Sequence, residues 1–477
     1  MIGTRAVAAL ALAGACCACS LAPRYQRPAT APPPAGYQEL DGWKIAAPAD
    51  LKPKGPWWEI YRDPALDALE AQMADANQSL KAAFARLQEA RAQTAIDRAA
   101  YFPSLTADAR ATRIQTSVNS PNFFAGEQNP LNDFIVGAQL SYEIDLFGRV
   151  RNTVAGAKAS EQATAGDVAA LELSLQAELA NDYFLLRGLD AQQELLDHTV
   201  ADYARALRLT ENLYQGGAAA VADVQQAKAQ LETAHTQAED TRLRRAQTEH
   251  AIAVLVGRQA SDFHLDARPL EPGAAPPAID PGLPSQLLER RPDVAAAERR
   301  VAAANAGIGV ARAAYFPEFS LAGTLGLEST AASSWMQAPS RFWSVGPQGL
   351  LTLFDAGLHR AQNAAARAAY DEQVANYRAS VLTAFQDVED NLAALRQLER
   401  ESVSEAAAVS ATQGALDQAV FRYQGGIVTY LEVVSTENAA LTARLSAVDI
   451  QTRRIAASVL LVKAVGGGWD TSQLPKY

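Results

Sequence analysis

Two carboxylates, Asp223 and Glu432, stand 209 residues apart, each just beyond a repeated Tyr-Gln-Gly-Gly stretch (Tyr214–Gly217 and Tyr423–Gly426). An acid there can accept backbone N–H groups at a helix start, or it can attract cations. Where like charges converge, it can also shift its own proton affinity. Other chemistry-bearing residues are sparse. His198, His235, His250, His264 and His359 are scattered, without His-Glu-x-x-His spacing, a phosphate-cradling loop or a nucleophile elbow nearby. No catalytic residue and no metal ligand set is assigned, and the chain does not read as an enzyme. All three cysteines, Cys16, Cys17 and Cys19, lie behind Arg5 and an apolar run from Ala6 to Ala15. A charged start, a short apolar core and small residues mark a signal peptide over residues 1–18, too short to span a membrane. Cys19 would then be S-lipidated as the new N-terminus. An ordinary cleaved signal, or use of Cys16 or Cys17, remains an alternative.

The chain has 477 residues, 49% hydrophobic and 20% charged, with net charge −11 and no run of Lys or Arg. That balance disfavours nucleic acid, which needs a basic stripe. Loss of Arg5 with the signal leaves −12 and a single cysteine, so no internal disulfide can form. Residues 19–63, rich in proline (Pro28, Pro32, Pro33, Pro34, Pro48, Pro53), read as a lipid-anchored extended segment pinned by Trp57 and Trp58. A helix is expected from Pro64 to Ala100, stopped by Pro103.

The period then changes to two. Leu105, Ala107, Ala109 and Ala111 alternate with polar residues. Phe134, Val136, Ala138, Leu140, Tyr142, Ile144 and Leu146 then share one face, with Gln139, Ser141, Glu143 and Asp145 on the other. Helical spacing follows from Arg149 to Leu213, through Leu171, Leu175, Leu179, Tyr183, Leu186 and Leu189. Such a helix is about 100 Å long, too long for a globular core and suited to a coiled coil or tube. The chain turns at Gly216 and Gly217 and returns from Ala222 to Val256.

Everything then repeats. Ala314-Tyr315-Phe316-Pro317 echoes Ala100-Tyr101-Phe102-Pro103 at an offset of 214, Leu353-Phe354 echoes Leu146-Phe147 at 207, and the tips lie 209 apart. Consistent offsets mark a duplicated unit. Residues 64–256 form the first repeat, 257–284 a linker, 285–465 the second repeat and 466–477 a tail. Phe319, Leu321, Leu325 and Leu327 predict a third strand; Trp343, Val345, Leu351 and Leu353 predict a fourth, interrupted by Pro347. Val374, Tyr377, Val381, Phe385, Val388, Leu392 and Leu395 repeat the long helix.

Strands behind a secretory signal, apolar on one face and paired by polar loops, suit a transmembrane barrel. In lipid the sheet must close, and four strands are too few. A trimer supplies twelve, with Glu143, Asp145, Ser320 and Thr324 facing a wet lumen.

The chain resembles TolC-type outer-membrane efflux proteins, in particular the OprM-like (NodT-type) lipoprotein branch. The resemblance is carried by Cys19–Pro28, the two Tyr-Phe-Pro motifs, Asp145–Gly148, Phe354–Gly357, the two tips and the closing Gly466-Gly467-Gly468-Trp469. It implies a fold that is mainly α with a transmembrane β-barrel. A homotrimeric twelve-stranded barrel would be continued by a long periplasmic α-helical barrel, with the linker equatorial. It implies a duct in the outer-membrane lipid of a Gram-negative bacterium, serving multidrug efflux with a periplasmic adaptor (membrane fusion) protein and an inner-membrane resistance–nodulation–division transporter. No cofactor is implied beyond the covalent lipid, a palmitate-type acylation of Cys19.

By the same resemblance Asp223, Tyr423 and Glu432 fall in the periplasmic gate, and Gly216, Gly217, Gly425 and Gly426 form tips that meet the adaptor. The repeat independently pairs Asp223 with Glu432. Three copies of Glu432 around an axis would form a ring of like charge; a solvated acid at a helix start is the plainer reading. Ser435 stands where TolC has a second acid, and Val428 where it has a basic latch residue. The alternatives are the duct of a type I protein-secretion system, or a lipid-anchored periplasmic coiled-coil scaffold that has no use for the strands.

Overall fold

The computed structural model describes residues 20–30, 32, 36–40, 55–121, 126, 129–279 and 289–476; the signal, Cys16, Cys17 and Cys19 lie outside them. Two short helices come first, α1 (Pro64–Ala76) and α2 (Gln78–Ala99). The single helix expected from Pro64 to Ala100 is therefore two. Asn77 breaks it by leaving helical backbone angles and capping α2, accepting from Leu80 N–H at 2.9 Å while donating to the Leu255 carbonyl at 2.8 Å. On α1, Glu70 is fully buried with neither carboxylate oxygen hydrogen-bonded, and burial pushes it to about 9.

Four antiparallel strands follow the expected alternation: β1 (Ser104–Ile114), β2 (Leu131–Ile144), β3 (Glu318–Ser329) and β4 (Arg341–Leu350), paired in the order β1-β2-β3-β4. Their register lines up like with like. Ala107, Ala138, Leu325 and Trp343 stand opposite one another across the sheet, and so do Thr106, Gln139, Thr324 and Ser344. One face is thus apolar and bare, with Trp343 76% exposed. The other is polar, with Thr324 and Ser344 hydroxyls 2.8 Å apart. Pro347 is accommodated in β4, opposite Leu321 and on an edge strand of the chain's own sheet.

Two strand ends differ from expectation. Asp145 and Leu146 lie beyond β2, and Leu351 and Leu353 beyond β4. Asp145 is diverted from a lumen-facing strand position to the next helix start, where it accepts from Arg151 N–H at 2.9 Å and Val150 N–H at 3.2 Å. Asp355 plays the same part in the second repeat, accepting from Gly357 and His359 N–H, each at 2.8 Å.

The long helices match in pairs. Helix α3 (Arg149–Gln215) and helix α6 (Leu358–Gln424) have 67 residues each, about 100 Å; α4 (Val221–Leu255) and α7 (Tyr430–Ala464) have 35 each. The second repeat opens with α5 (Pro292–Ala313), packed on both α3 and α6. The main core sits mid-molecule, where α1, α3, α6 and α7 bury Leu66, Met73, Tyr183, Leu186, Leu392 and Leu461. Trp57 closes it, its indole donating to Gln176 at 3.0 Å. Residues 20–30 run extended over these helices: Asn305 donates to the Pro23 carbonyl at 2.9 Å and Arg27 to the Tyr377 hydroxyl at 2.9 Å. Among the described residues no helix is long and apolar enough to cross a membrane, and no group of three potential ligands is placed to hold a metal.

Candidate functional site: the paired helical tips

Both hairpin tips close by the same backbone geometry. At the first, Ala218 N–H donates to the Leu213 carbonyl at 2.8 Å and Gly217 N–H to the Tyr214 carbonyl at 2.9 Å. At the second, Ile427 donates to Arg422 and Gly426 to Tyr423, each at 2.9 Å. This is a Schellman ending, which needs one left-handed residue. Gly217 (φ 73°) and Gly426 (φ 70°) supply it, whereas Gly216 and Gly425 keep right-handed helical angles.

The structure separates the three gate candidates. Asp223, in the first turn of α4, reaches back to accept the Ala220 N–H at 3.1 Å, the capping role open to an acid at that position. Glu432, in the first turn of α7, accepts from the Arg422 guanidinium at 2.7 Å, across the tip from the last turn of α6. Both partners are near half-exposed (46% and 41%), so the pair contributes at most about 1 kcal/mol. With Val428 apolar, Arg422 supplies the cation from six residues earlier. Tyr423 packs its ring 5.3 Å from that of Tyr430. Its hydroxyl is buried without a well-formed hydrogen bond, near Thr210 and Asp223, and burial raises its pKa. Tyr423 therefore brings α6 against the first hairpin, beside Thr210 and Asp223.

Sequence reading missed the group beneath. Tyr430, Val433, Ala227 and Ala419 form a small core where all four long helices meet. One turn further on, Glu437 lies half-buried with one carboxylate oxygen unpaired, pushed up to about 7 by burial first and then by Asp202. It lines a cavity of about 390 Å³ with Asp202, Leu416, Asp417, Val420, Phe421 and Gln424. The signal was present: Tyr430, Val433, Val434 and Glu437 fall at helical spacing, putting an acid on an apolar stripe.

A sheet bare on its apolar face and unpaired at both edges, joined to two matched hairpins about 100 Å long, is one protomer of a membrane-spanning tube. The sequence profile of the outer membrane efflux protein family matches residues 70–258 and 283–467, and the chain belongs to that family. It is 34% identical to the outer membrane protein OprJ of Pseudomonas aeruginosa, over 97% of this chain and 96% of that one. It is 32% identical to the toluene efflux pump outer membrane protein TtgF of Pseudomonas putida (97% and 96%) and 30% identical to the cation efflux system protein CusC of Escherichia coli (97% and 97%). Among solved structures, the outer-membrane channel OprN superposes with a TM-score of 0.88 at 30% identity, covering 94% of this chain and all of that one. The Campylobacter jejuni channel CmeC gives 0.87 at 26%, covering 95% and 96%. The fold is that of these channels: a mainly helical chain contributing four strands to a trimeric twelve-stranded transmembrane barrel, continued by a helical barrel.

Proposed function

We propose that this chain is the outer-membrane exit duct of a tripartite efflux pump, conducting small molecules such as drugs passively from periplasm to exterior. The observation that carries the reading is the sheet: apolar and bare on one face, polar on the other, and unable to satisfy its edges within one chain. A scaffold lying in the periplasm has no use for such a surface. An inner-membrane resistance–nodulation–division transporter supplies the energy, a periplasmic adaptor meets the Gly216–Gly217 and Gly425–Gly426 tips, and the duct performs no chemistry. Relatives of similar identity are named for toluene and for cation efflux, so cargo is set by the pump that feeds the duct.

Cys19 carries the lipid in this reading. The next residue, Ser20, donates to Asn152 at 3.0 Å in the first turn of α3, a few residues after β2 ends. Radiolabelled palmitate is expected on the wild type and not on Cys19→Ser; equal incorporation overturns the assignment.

The tips form the closed mouth. Tyr423 sets α6 beside Thr210 and Asp223 of the first hairpin, Arg422 on Glu432 ties α6 to α7, and Asp223 holds its own helix start. Planar-bilayer recording of the purified trimer tests this. Wild type is expected to conduct weakly, with Glu432→Ala and Tyr423→Ala conducting several-fold more. If none of the three conducts at all, the duct reading fails.

A further inference from the structure

Midway along the long helices, where the linker leaves the first repeat, the described residues surround a cleft of about 720 Å³. Its walls are residues 60–63 ahead of α1, one face of α3, linker residues 268–278 and Ile455 of α7. These walls are tied together. Leu270 N–H donates to the Arg187 carbonyl of α3 at 3.0 Å, and the Gln451 amide of α7 donates to the Glu271 carbonyl at 2.5 Å. The Tyr61 ring lies 4.9 Å from that of Phe184, and its hydroxyl meets that of Ser458 at 2.7 Å. With Ile60, Leu270 and Ile455, these two rings make the lining largely apolar. An apolar cleft with a few convergent polar groups is the usual form of a small-molecule site.

The convergent groups are three arginines, and the innermost is only half engaged. Arg187 is 5% exposed and rests on the Tyr183 ring, 4.8 Å from its centroid. Its Nη1 donates to the Asp190 carboxylate at 2.9 Å and to the Asp266 carbonyl at 2.8 Å. Its Nε is buried without a partner, and no described residue accepts from its Nη2. Nε and Nη2 form an edge on which a guanidinium takes a carboxylate by two parallel hydrogen bonds. A buried donor left unmet costs about 1–3 kcal/mol, so this edge calls for an acceptor. Arg62 lines the same cleft, exposed, in left-handed backbone (φ 54°) and unpaired among the described residues. Arg268 reaches Asp63 only at 3.4 Å. The acids here are Asp63 and Glu271, with Asp190 behind, shared between Arg187 and Arg245. Asp63 is already engaged by the Ala65 N–H at 3.0 Å and the Tyr183 hydroxyl at 2.8 Å. The formal charges therefore nearly balance, and what the cleft holds in surplus is hydrogen-bond donors.

We propose that this cleft binds a small organic carboxylate with an apolar or aromatic body. The carboxylate lies on the Nε–Nη2 edge of Arg187, with Arg62 and Arg268 about it, and the body lies against Tyr61, Phe184 and Leu270. A neutral carbonyl offers one acceptor oxygen to that edge, whereas a carboxylate offers two and carries the charge that strengthens both bonds. Because the walls come from the first repeat, the linker and α7 of the second repeat, an occupant braces the two halves of the chain at this level. The site is remote from the tips and does not depend on whether the duct conducts.

The test uses 4-azidobenzoate, a photoreactive carboxylate, on the full-length protein in outer-membrane vesicles, with labelled peptides located by mass spectrometry. Label is expected within residues 60–63 and 268–278, about tenfold above that left by the neutral 4-azidobenzamide. Benzoate should displace it, and benzamide should not. The double variant Arg62→Gln with Arg268→Gln changes two exposed side chains, so it should keep the wild-type circular dichroism while losing most of the label. Arg187→Lys keeps the charge but removes the two-pronged edge, and labelling should fall at least as far; its circular dichroism reports whether it still folds. Equal labelling by the two probes, or labelling that ignores the arginine variants, reveals an apolar crevice and overturns the carboxylate site. Absence of label from these peptides overturns the cleft as a ligand site altogether. So does label that enters only detergent-dissociated protomers, because a neighbouring copy then covers the cleft.

Discussion

Helices α3 and α6 have the same length, the same left-handed glycine at their start and the same glycine turn at their end, yet their first two dozen residues differ in surroundings. In α3 this stretch buries Val150, Val154, Ala159, Ala163, Gly166 and Val168 under α5; in α6 it buries none of its residues before Tyr377. The sequences are comparably alanine-rich, so propensity does not separate them. What differs is chain order. The linker delivers α5 between α3 and α6, where it covers the start of α3 and leaves the start of α6 exposed. Within the protomer the contact of α3 with α5 is an inner joint, and the matching surface of α6 is exposed.

The largest expected effect comes from filling the inner joint. A Cβ at Gly166 would meet Ala296 Cβ at 2.9 Å and the Pro292 carbonyl at 3.0 Å, so Gly166→Val must push α5 off α3. A loss of about 3 kcal/mol is expected in denaturant unfolding followed by circular dichroism. The twin change, Ala375→Val, falls on the exposed start of α6 and should leave protomer folding within about 0.5 kcal/mol while weakening trimer assembly. Equal losses from both would break the comparison. Removing the aromatic stack of Phe147 on Phe316 comes next. Phe147→Ala gives up a half-buried ring and its stacking, about 2 kcal/mol of protomer stability by the same measurement.

Much of this organisation was legible in the sequence, because period, punctuation and repetition are local signals. The alternation around Phe134–Ile144 marked a strand, the Gly pairs marked helix ends, and three offsets near 210 marked the duplication. What escaped was decided by contacts far away in the chain. Asn77 reads as an ordinary polar helix residue until the Leu255 carbonyl, 178 residues on, takes its amide. Asp145 continued the strand alternation until the start of α3 claimed its carboxylate. At the tips, the turns and the pairing of Asp223 with Glu432 were readable, but Arg422 and Glu437 were not singled out. Both act across the interhelical space, to which a one-dimensional pattern assigns no distances.

At the tip end the two helices cease to differ, and the shared burial of Glu437 sharpens that limit. Facing it are Asp202 and Tyr203 on α3, Asp417 across the cavity on α6, and Tyr430 on its own helix. Its folded pKa of about 7 lies above the unfolded value of about 4.3, so folding favours the protonated acid. The stabilisation is complete below about pH 4.3 and is lost as pH rises through about 7. Discounted for partial exposure, the loss is about 2 kcal/mol. Glu437→Gln should therefore match wild type at pH 4 and exceed it by that amount at pH 8 in thermal unfolding. A parallel pH dependence in wild type and variant would mean that the carboxylate is solvated.

The smallest effect lies within each tip and tests whether the two ends are as alike as their sequences. Gly217 and Gly426 hold φ near +70°, where a Cβ is strained, so Gly217→Ala and Gly426→Ala should each lose about 1 kcal/mol. Gly216 and Gly425 hold right-handed helical angles, and a Cβ there would meet carbonyl oxygens no closer than 3.5 Å, an ordinary contact. Gly216→Ala and Gly425→Ala should gain about 0.5 kcal/mol by restricting the unfolded chain. Thermal unfolding of the four variants ranks them directly, and the ordering must be the same at both tips. If Gly425→Ala behaves like Gly426→Ala while Gly216→Ala does not, the second tip is held by more than its turn. The Arg422–Glu432 pair, which the first tip lacks, then becomes the part of the mouth that needs both glycines.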